Sequence, residues 1–402
     1  MKYDFHTKLN RKGHDALALD SYPTYGTEVK EGFSEIPMWV ADMNYPVLPE
    51  IQKAIQSRLD QPHFGYFNPD KDYYKSIINW QKTRNHVDCQ MKNIHYENGV
   101  LGCLSSAIQA FTSPGEAILI HSPTYIGFTH VLNDLGRKII HSPLYLDEKN
   151  IWRMDYENMD ELCKKYHIHF AIFCSPHNPA GRVWVKEEIE KAMKVYQNND
   201  CIVFSDEIWS DILLNGNKHI PTQSINEDAR NRTIAAYAPS KTFSLAGLVG
   251  SYHIIYNSTL IDKILKSSKS THYNSPNILS VYALKGAYSK EGEIWCDELC
   301  ETLSHNINYA YDFILKYFKG VNVSKPQGTY MMYLDCTEYL SDKNVSFLSL
   351  LQKGIEAGVL WQDGRPFGKE NTIRLNLALP EDTVKEAMER LKQYVFYSVN
   401  HY

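Results

Sequence analysis

The pattern of apolar and polar positions changes character three times along the chain. Residues 1–45 show little periodicity until one compact apolar segment, Ile36-Pro-Met-Trp-Val-Ala-Asp-Met43, and read as an arm that packs on a site or on a second subunit. Ile51, Ala54, Ile55 and Leu59 then recur at helical spacing and predict a helix over 46–59, and a second is expected over 73–85. Between them lies an aromatic loop, His63-Phe-Gly-Tyr66-Phe-Asn-Pro69. From about residue 95 short apolar runs alternate with amphipathic stretches. Strands are expected at 117–121, 138–142, 170–175, 201–204, 233–237 and 252–256, with helices over 98–111, 126–135, 159–166 and 186–198. Runs as apolar on both faces as Ala171-Ile-Phe-Cys174 and Ile202-Val-Phe204 belong to strands covered on both sides by helices, hence to a largely parallel α/β sheet. Past about residue 285 helices dominate, at 294–318 (one long run, with a break left open), 345–357 and 382–397, around strands at 328–335 and 372–377. The expected organisation is an arm over 1–45 that joins the small domain, a large doubly wound α/β domain over 46–285, and a smaller α+β domain over 286–402.

Composition narrows the partners. With 43% hydrophobic and 22% charged residues and a formal charge of −5, the 402-residue chain reads as a globular protein with no bulk attraction to nucleic acid or anionic membranes. No stretch approaches the ~18 apolar residues of a spanning helix and no leader pattern opens the chain, so a cytoplasmic protein is expected. The eight cysteines are scattered without a C-x-x-C pair, and the 16 histidines show no H-E-x-x-H spacing, so neither a disulfide framework nor a metal site is expected.

Ligands of open α/β sheets sit beyond the carboxyl ends of the strands. Four expected strands end there on Ser122-Pro-Thr-Tyr125, Ser175-Pro-His-Asn178-Pro-Ala-Gly181, Ser205-Asp206-Glu207 and Ser240-Lys241. Pro239 stops the last strand and drops Lys241 into a turn. A buried lysine loses hydration and its pKa falls, which frees the lone pair to attack a carbonyl. Asn98-Gly-Val-Leu-Gly102 leads small residues into the first turn of a helix, where free N–H groups and the positive dipole end suit a phosphate. Taken singly, each motif has a simpler reading: Asp206 as a helix cap, Asn178-Pro179 as a turn, Tyr125 as a core aromatic, Arg374 as a surface salt bridge.

The ordered set Pro176-His-Asn-Pro-Ala-Gly-Arg182, Ser205-Asp-Glu-Ile208 and Pro239-Ser-Lys-Thr-Phe243, with 28 residues from Asn178 to Asp206 and 35 from Asp206 to Lys241, resembles the fold type I pyridoxal-phosphate enzymes of the class I/II aminotransferase superfamily. Met38-Trp-Val-Ala-Asp-Met43, Phe64-Gly-Tyr66 and Arg374-Leu-Asn376 are similar to its cystathionine β-lyase-like C–S lyases. The resemblance implies pyridoxal 5'-phosphate held by Lys241 as a Schiff base, with Lys241 also the acid and base of catalysis. Asp206 pairs with the ring nitrogen, Asn178 faces the phenolic oxygen and the substrate carboxylate, and Tyr125 stacks on the ring. Val100, Leu101 and Ser240 hold the phosphate, and Tyr66, counted with Lys241 among the catalytic residues, reaches the phosphate of the neighbouring subunit of a homodimer. Arg374 clamps the α-carboxylate of a small amino-acid substrate, with Val40 beside it. The implied reaction is C–S β-elimination from cystathionine or another cysteine S-conjugate; the alternative is transamination between an L-amino acid and a 2-keto acid. Four positions depart from the pattern. Trp209 stands where Tyr or His is usual, Val249 where many relatives carry Arg or Lys, Ala238 where many have Ser, and Asn44 where Asp is common. Trp209 and Val249 imply weaker charge on the cofactor's oxygens.

Overall fold

A computed structural model gives the fold, describing residues 1–272 and 274–396. In chain order the strands used here are β1 (Ile36–Pro37), β2 (Ile94–Glu97), β3 (Ala117–Ser122), β4 (Lys138–Pro143), β5 (Phe170–Cys174), β6 (Ile202–Asp206), β7 (Thr233–Tyr237), β8 (Ser251–Ile254), β9 (Asn322–Val323), β10 (Met331–Asp335), β11 (Val359–Leu360), β12 (Gln362–Asp363) and β13 (Thr372–Asn376). Seven form one sheet in the order β2-β8-β7-β6-β5-β3-β4. Its strands run parallel from β4 to β7, and β8 lies antiparallel between β7 and β2.

The doubly apolar runs explain how the sheet is covered. Successive residues of a strand point to opposite faces. Ala171 and Phe173 accordingly pack with Met159, Ile189 and Tyr196 from the helices Tyr156–Tyr166 and Lys186–Asn198. Phe170 and Ile172 pack on the other face with Leu104, Phe128 and Ile264 from Gly99–Phe111, Ile126–Asp134 and Ser258–Ser270. Each such fully buried side chain contributes about 1.5–3 kcal/mol, so neither face tolerates a charge. The register places Cys174 opposite Asp206 and Asp206 opposite Ala236, so β5, β6 and β7 end level.

A second, antiparallel sheet follows the order β9-β10-β13-β12. The arm joins this part of the chain, because β1 pairs in parallel with β11 and the Asn376 N–H donates to the Met38 carbonyl at 2.7 Å. Three local expectations are corrected. The long helix expected over 294–318, with a break left open, starts four residues earlier and is unbroken as Lys290–Tyr317, capped by the Ser289 side chain and buried along Trp295, Leu299 and Leu303. β2 and the helix Ser258–Ser270 arise where periodicity is too short or too polar to signal them. The closing helix is Glu381–Arg390 followed by a wider turn over Leu391–Val395, and its expected last residue, 397, lies outside the described residues.

Candidate active site

The level ends of β5, β6 and β7 floor a cavity of about 330 Å³. Lys241 enters it from the turn after β7, where the Phe243 N–H donates to the Pro239 carbonyl at 2.9 Å and the Leu245 N–H to the Ser240 carbonyl at 3.1 Å. Its amine donates to the Ala41 carbonyl at 3.0 Å and lies 5.8 Å from the centre of the Trp209 ring. The side chain stays accessible through the cavity, but protein surrounds it. Burial, aided by the charge of Arg374, lowers its pKa to about 8, while Asp42 and Asp206 act in the opposite sense. About one lysine in ten is then a free amine at pH 7.

Asp206 closes β6 as the one acid lining the cavity among the described residues, and it accepts from the Ile208 N–H at 3.1 Å. Burial raises its pKa to about 7, with Lys241 opposing and Glu207 adding to the rise. Glu207 points the other way into the protein. There it takes hydrogen bonds from the Tyr237 hydroxyl at 2.6 Å, the Ser205 hydroxyl at 2.9 Å and the Thr222 N–H at 3.0 Å, and it pairs with His219 Nε2 at 2.8 Å. Burial pushes Glu207 up, but His219, Tyr237 and Thr222 outweigh it and hold the carboxyl below its ordinary value. Asp206 is therefore the acid left with its demand unmet, and a cationic N–H placed beside it in the cavity would meet that demand.

Arg374 comes from mid-β13, opposite Tyr333 on one side and Gln362 on the other. Its guanidinium donates to Asn178 Oδ1 at 3.2 Å, to the Trp39 carbonyl at 3.1 Å and to Gln362 Oε1. It lies over the Phe367 ring at 4.5 Å, and its Nε is buried without a partner. Burial lowers its pKa to about 10, so it remains cationic at neutral pH. Three of its five N–H groups are engaged by Asn178, Trp39 and Gln362, and a buried cation with two left, one of them on Nε, is a ready receptor for a carboxylate.

The remaining expected residues sort as follows. Tyr125, Val100, Leu101, Ser240, Trp209, Val40 and Asn178 all line the cavity. The helix Gly99–Phe111 starts at Gly99 with φ +77° and has no side-chain cap, which leaves the N–H groups of its first turn for a ligand. Tyr125 packs edge-on against Phe128 at 5.4 Å, and the Val40 carbonyl is fixed by Asn376 Nδ2 at 2.9 Å. Val249 also lines the cavity, at φ +49° and ψ 154°, a backbone region costly for a β-branched residue. Tyr66 is not brought to the site of its own chain; it is fully exposed in the loop between the helices Pro49–Leu59 and Lys71–Arg84. Sequence reasoning missed Gln362, and within the strap Trp39–Asp42 it singled out only Val40 as a site residue. The strap was visible as an apolar motif, whereas Gln362 meets Arg374 only through strand register, which leaves no local signal.

The model of the aminotransferase class I and II family matches residues 36–391. The chain belongs to that family. Among its relatives, the cystathionine beta-lyase PatB of Bacillus subtilis (strain 168) is 34% identical over 360 residues, covering 89% of this chain and 92% of that protein. Among solved structures, cystalysin from Treponema denticola, which contains a pyridoxal 5'-phosphate cofactor, superposes with a TM-score of 0.91 at 31% identity over 98% of this chain and 99% of that one. The PLP-bound C–S lyase from Staphylococcus hominis gives 0.89 at 28% identity over 99% of each chain. The fold expected for a family member, a large and mostly parallel sheet with helices on both faces, is the one described above.

Proposed function

We propose that this family member is a pyridoxal-phosphate-dependent C–S β-lyase, a cytoplasmic homodimer that converts a cysteine S-conjugate such as cystathionine, with one water, to a thiol, pyruvate and ammonium. The observation that carries it is the convergence of one buried amine, one unmatched buried acid and one buried guanidinium on a single cavity. The likeness to PatB, cystalysin and the S. hominis enzyme supports elimination at a carbon–sulfur bond.

The donor set fits the cofactor. Asp206 would hold its ring nitrogen protonated, Tyr125 and Trp209 would wall the ring, and Asn178 would face its phenolic oxygen. The first-turn N–H groups of Val100 and Leu101 with the Ser240 hydroxyl would take the phosphate. When bound, pyridoxal phosphate supplies a carbonyl for the lysine or substrate amine and a ring that accepts the electron pair left at the α-carbon. Arg374 binds the α-carboxylate and so orients the α-hydrogen toward Lys241. Lys241 takes that proton at Nζ, the C–S bond breaks with its electron pair on sulfur, and the same amine can return the proton to the thiolate. Tyr66 and Phe64, exposed side by side at 111% and 62%, support a face for a second copy of the chain.

The test is a product assay on the loaded protein with L-cystathionine and no keto acid, with Lys241→Ala beside it. Pyruvate at catalytic turnover, absent in the variant, is the expected result. A single turnover that leaves the cofactor in its amine form until a keto acid is added would replace elimination by transamination.

A further inference from the structure

The arm does more than cover the cavity. The strap Trp39–Asp42 is fastened at both ends: Asn376 Nδ2 donates to the Val40 and Asp42 carbonyls at 2.9 and 2.7 Å, and Arg374 holds the Trp39 carbonyl. From the other side Arg11 donates to Asn44 Oδ1 at 2.9 Å and to the Met43 carbonyl at 3.2 Å, and forms an ion pair with the Asp42 carboxylate. That carboxylate also takes a long hydrogen bond, 3.5 Å, from Ser244 Oγ, three residues after Lys241. Lys241 rests its amine on the carbonyl of Ala41, the residue before Asp42. The strap therefore holds the Asp42 carboxylate, itself paired with Arg11, within electrostatic reach of the reactive nitrogen.

We propose that Asp42 and Arg11 are positioning residues that set the protonation of the Lys241 nitrogen: Asp42 favours its charged form, and Arg11, by engaging Asp42, limits that effect. The inference rests on Lys241 being the cofactor lysine. The other charged groups facing this nitrogen are Asp206 from β6, which acts with Asp42, and Arg374 from β13, which acts against it. Tyr330 lies within electrostatic reach of both Asp42 and Arg374, and Trp209, the nearest ring, carries no charge. The couple is only partly buried, with Asp42 at 28% and Arg11 at 21% side-chain exposure. Its influence is thus damped by solvent but not erased at this range. A strap that served only to cover the site would need no charge at position 42, since its backbone carbonyls already hold it in place.

The two members make opposite predictions, which a merely structural role does not. In the full-length holoenzyme, the pH titration of the cofactor's visible absorbance reports the proton on the Lys241 nitrogen while it is bonded to the cofactor. Asp42→Asn should lower the titration midpoint and Arg11→Gln should raise it, each by about 0.5–1 pH unit, a three- to ten-fold change in the deprotonated fraction. Arg11→Lys should restore the parent midpoint, and Arg11→Gln combined with Asp42→Asn should lie close to the parent. The acid limb of kcat/KM should move with the spectral midpoint. Circular dichroism and the fraction of cofactor bound identify a variant that has lost its fold, and Asp42→Asn, an isosteric change, keeps the test decisive if Arg11→Gln is lost that way. An unmoved midpoint, or both variants moving in one direction, overturns the proposal while the lyase reading stands. Borohydride reduction of the parent that leaves the cofactor on a different lysine overturns the site reading and this inference with it.

Discussion

Removing Arg374 separates substrate recognition from scaffolding. Its guanidinium lies buried at the cavity wall with Asn178, Trp39 and Gln362 around it, is cationic at neutral pH, and has an unpaired Nε. A substrate carboxylate docking there gains two charge-assisted hydrogen bonds, each worth about 1.5–3 kcal/mol. Arg374→Ala should then lower kcat/KM on a cysteine S-conjugate by about 10²–10⁴-fold, at 1.36 kcal/mol per decade. Arg374→Lys keeps the charge but not the fork and should lose about 10–100-fold. The assay is steady-state pyruvate release from the S-conjugate, alongside thiol release from its α-carboxamide, which lacks the charge. The parent should prefer the acid over the amide by 10²-fold or more, and Arg374→Ala should abolish that preference. An alanine variant that slows both substrates equally and keeps the preference would refute the carboxylate clamp.

The other predictions read stability and assembly. Asp206 has its folded pKa raised from 3.8 to about 7, so its ionised form costs the cofactor-free fold at most about 4 kcal/mol above pH 7 and nothing below about pH 4. Asp206→Asn should therefore raise the melting temperature of cofactor-free protein at pH 8 and leave it unchanged at pH 4, while weakening cofactor retention; equal shifts at both pH values would contradict the assignment. His219→Ala removes the Nε2 hydrogen bond of the buried Glu207 carboxyl and should destabilise by about 1.5–3 kcal/mol in urea unfolding, a loss below about 0.5 kcal/mol counting against the contact. Tyr66→Ala should weaken self-association in sedimentation and lower cofactor affinity together; an unchanged dimer with full affinity would remove Tyr66 from the neighbouring site.

The large sheet and most of the residues that line the cavity were legible because their signals are local. Ala171-Ile-Phe-Cys174 announces a strand buried on both faces whatever follows it, and Pro239 announces where the lysine turn starts. Asp206, Asn178 and Tyr125 could be placed together because strand ends converge in any open parallel sheet. What stayed hidden depends on register or on distance along the chain. Gln362 reaches Arg374 because β12 and β13 pair with Gln362 opposite it, and Arg11 reaches Asp42 across 31 residues of irregular arm. Glu207 was visible beside Asp206, yet its opposite orientation and its pairing with His219 follow from strand alternation and a loop closure that no spacing encodes.

The departures noted in the sequence take on a definite physical sense at the cavity. Val249 brings no charge to the expected phosphate end, and Trp209 offers at most one N–H donor where a phenol could both donate and accept. Among the described residues the cations lining the cavity are Lys241 and Arg374, and the proposed reading gives each another task. On the proposed reading, phosphate retention would fall to the uncapped first turn at Gly99-Val100-Leu101 and to Ser240, groups whose donors are mostly backbone. Backbone donors cannot be lost by side-chain substitution, and they hold an anion without adding a full positive charge near Lys241. A cationic side chain at position 249 would raise anion affinity but would also press the Lys241 pKa further down, in the same sense as Arg374 already does. An uncharged wall at 249 thus adds no further charge to those already acting on the lysine, Arg374 on one side and Asp42 and Asp206 on the other.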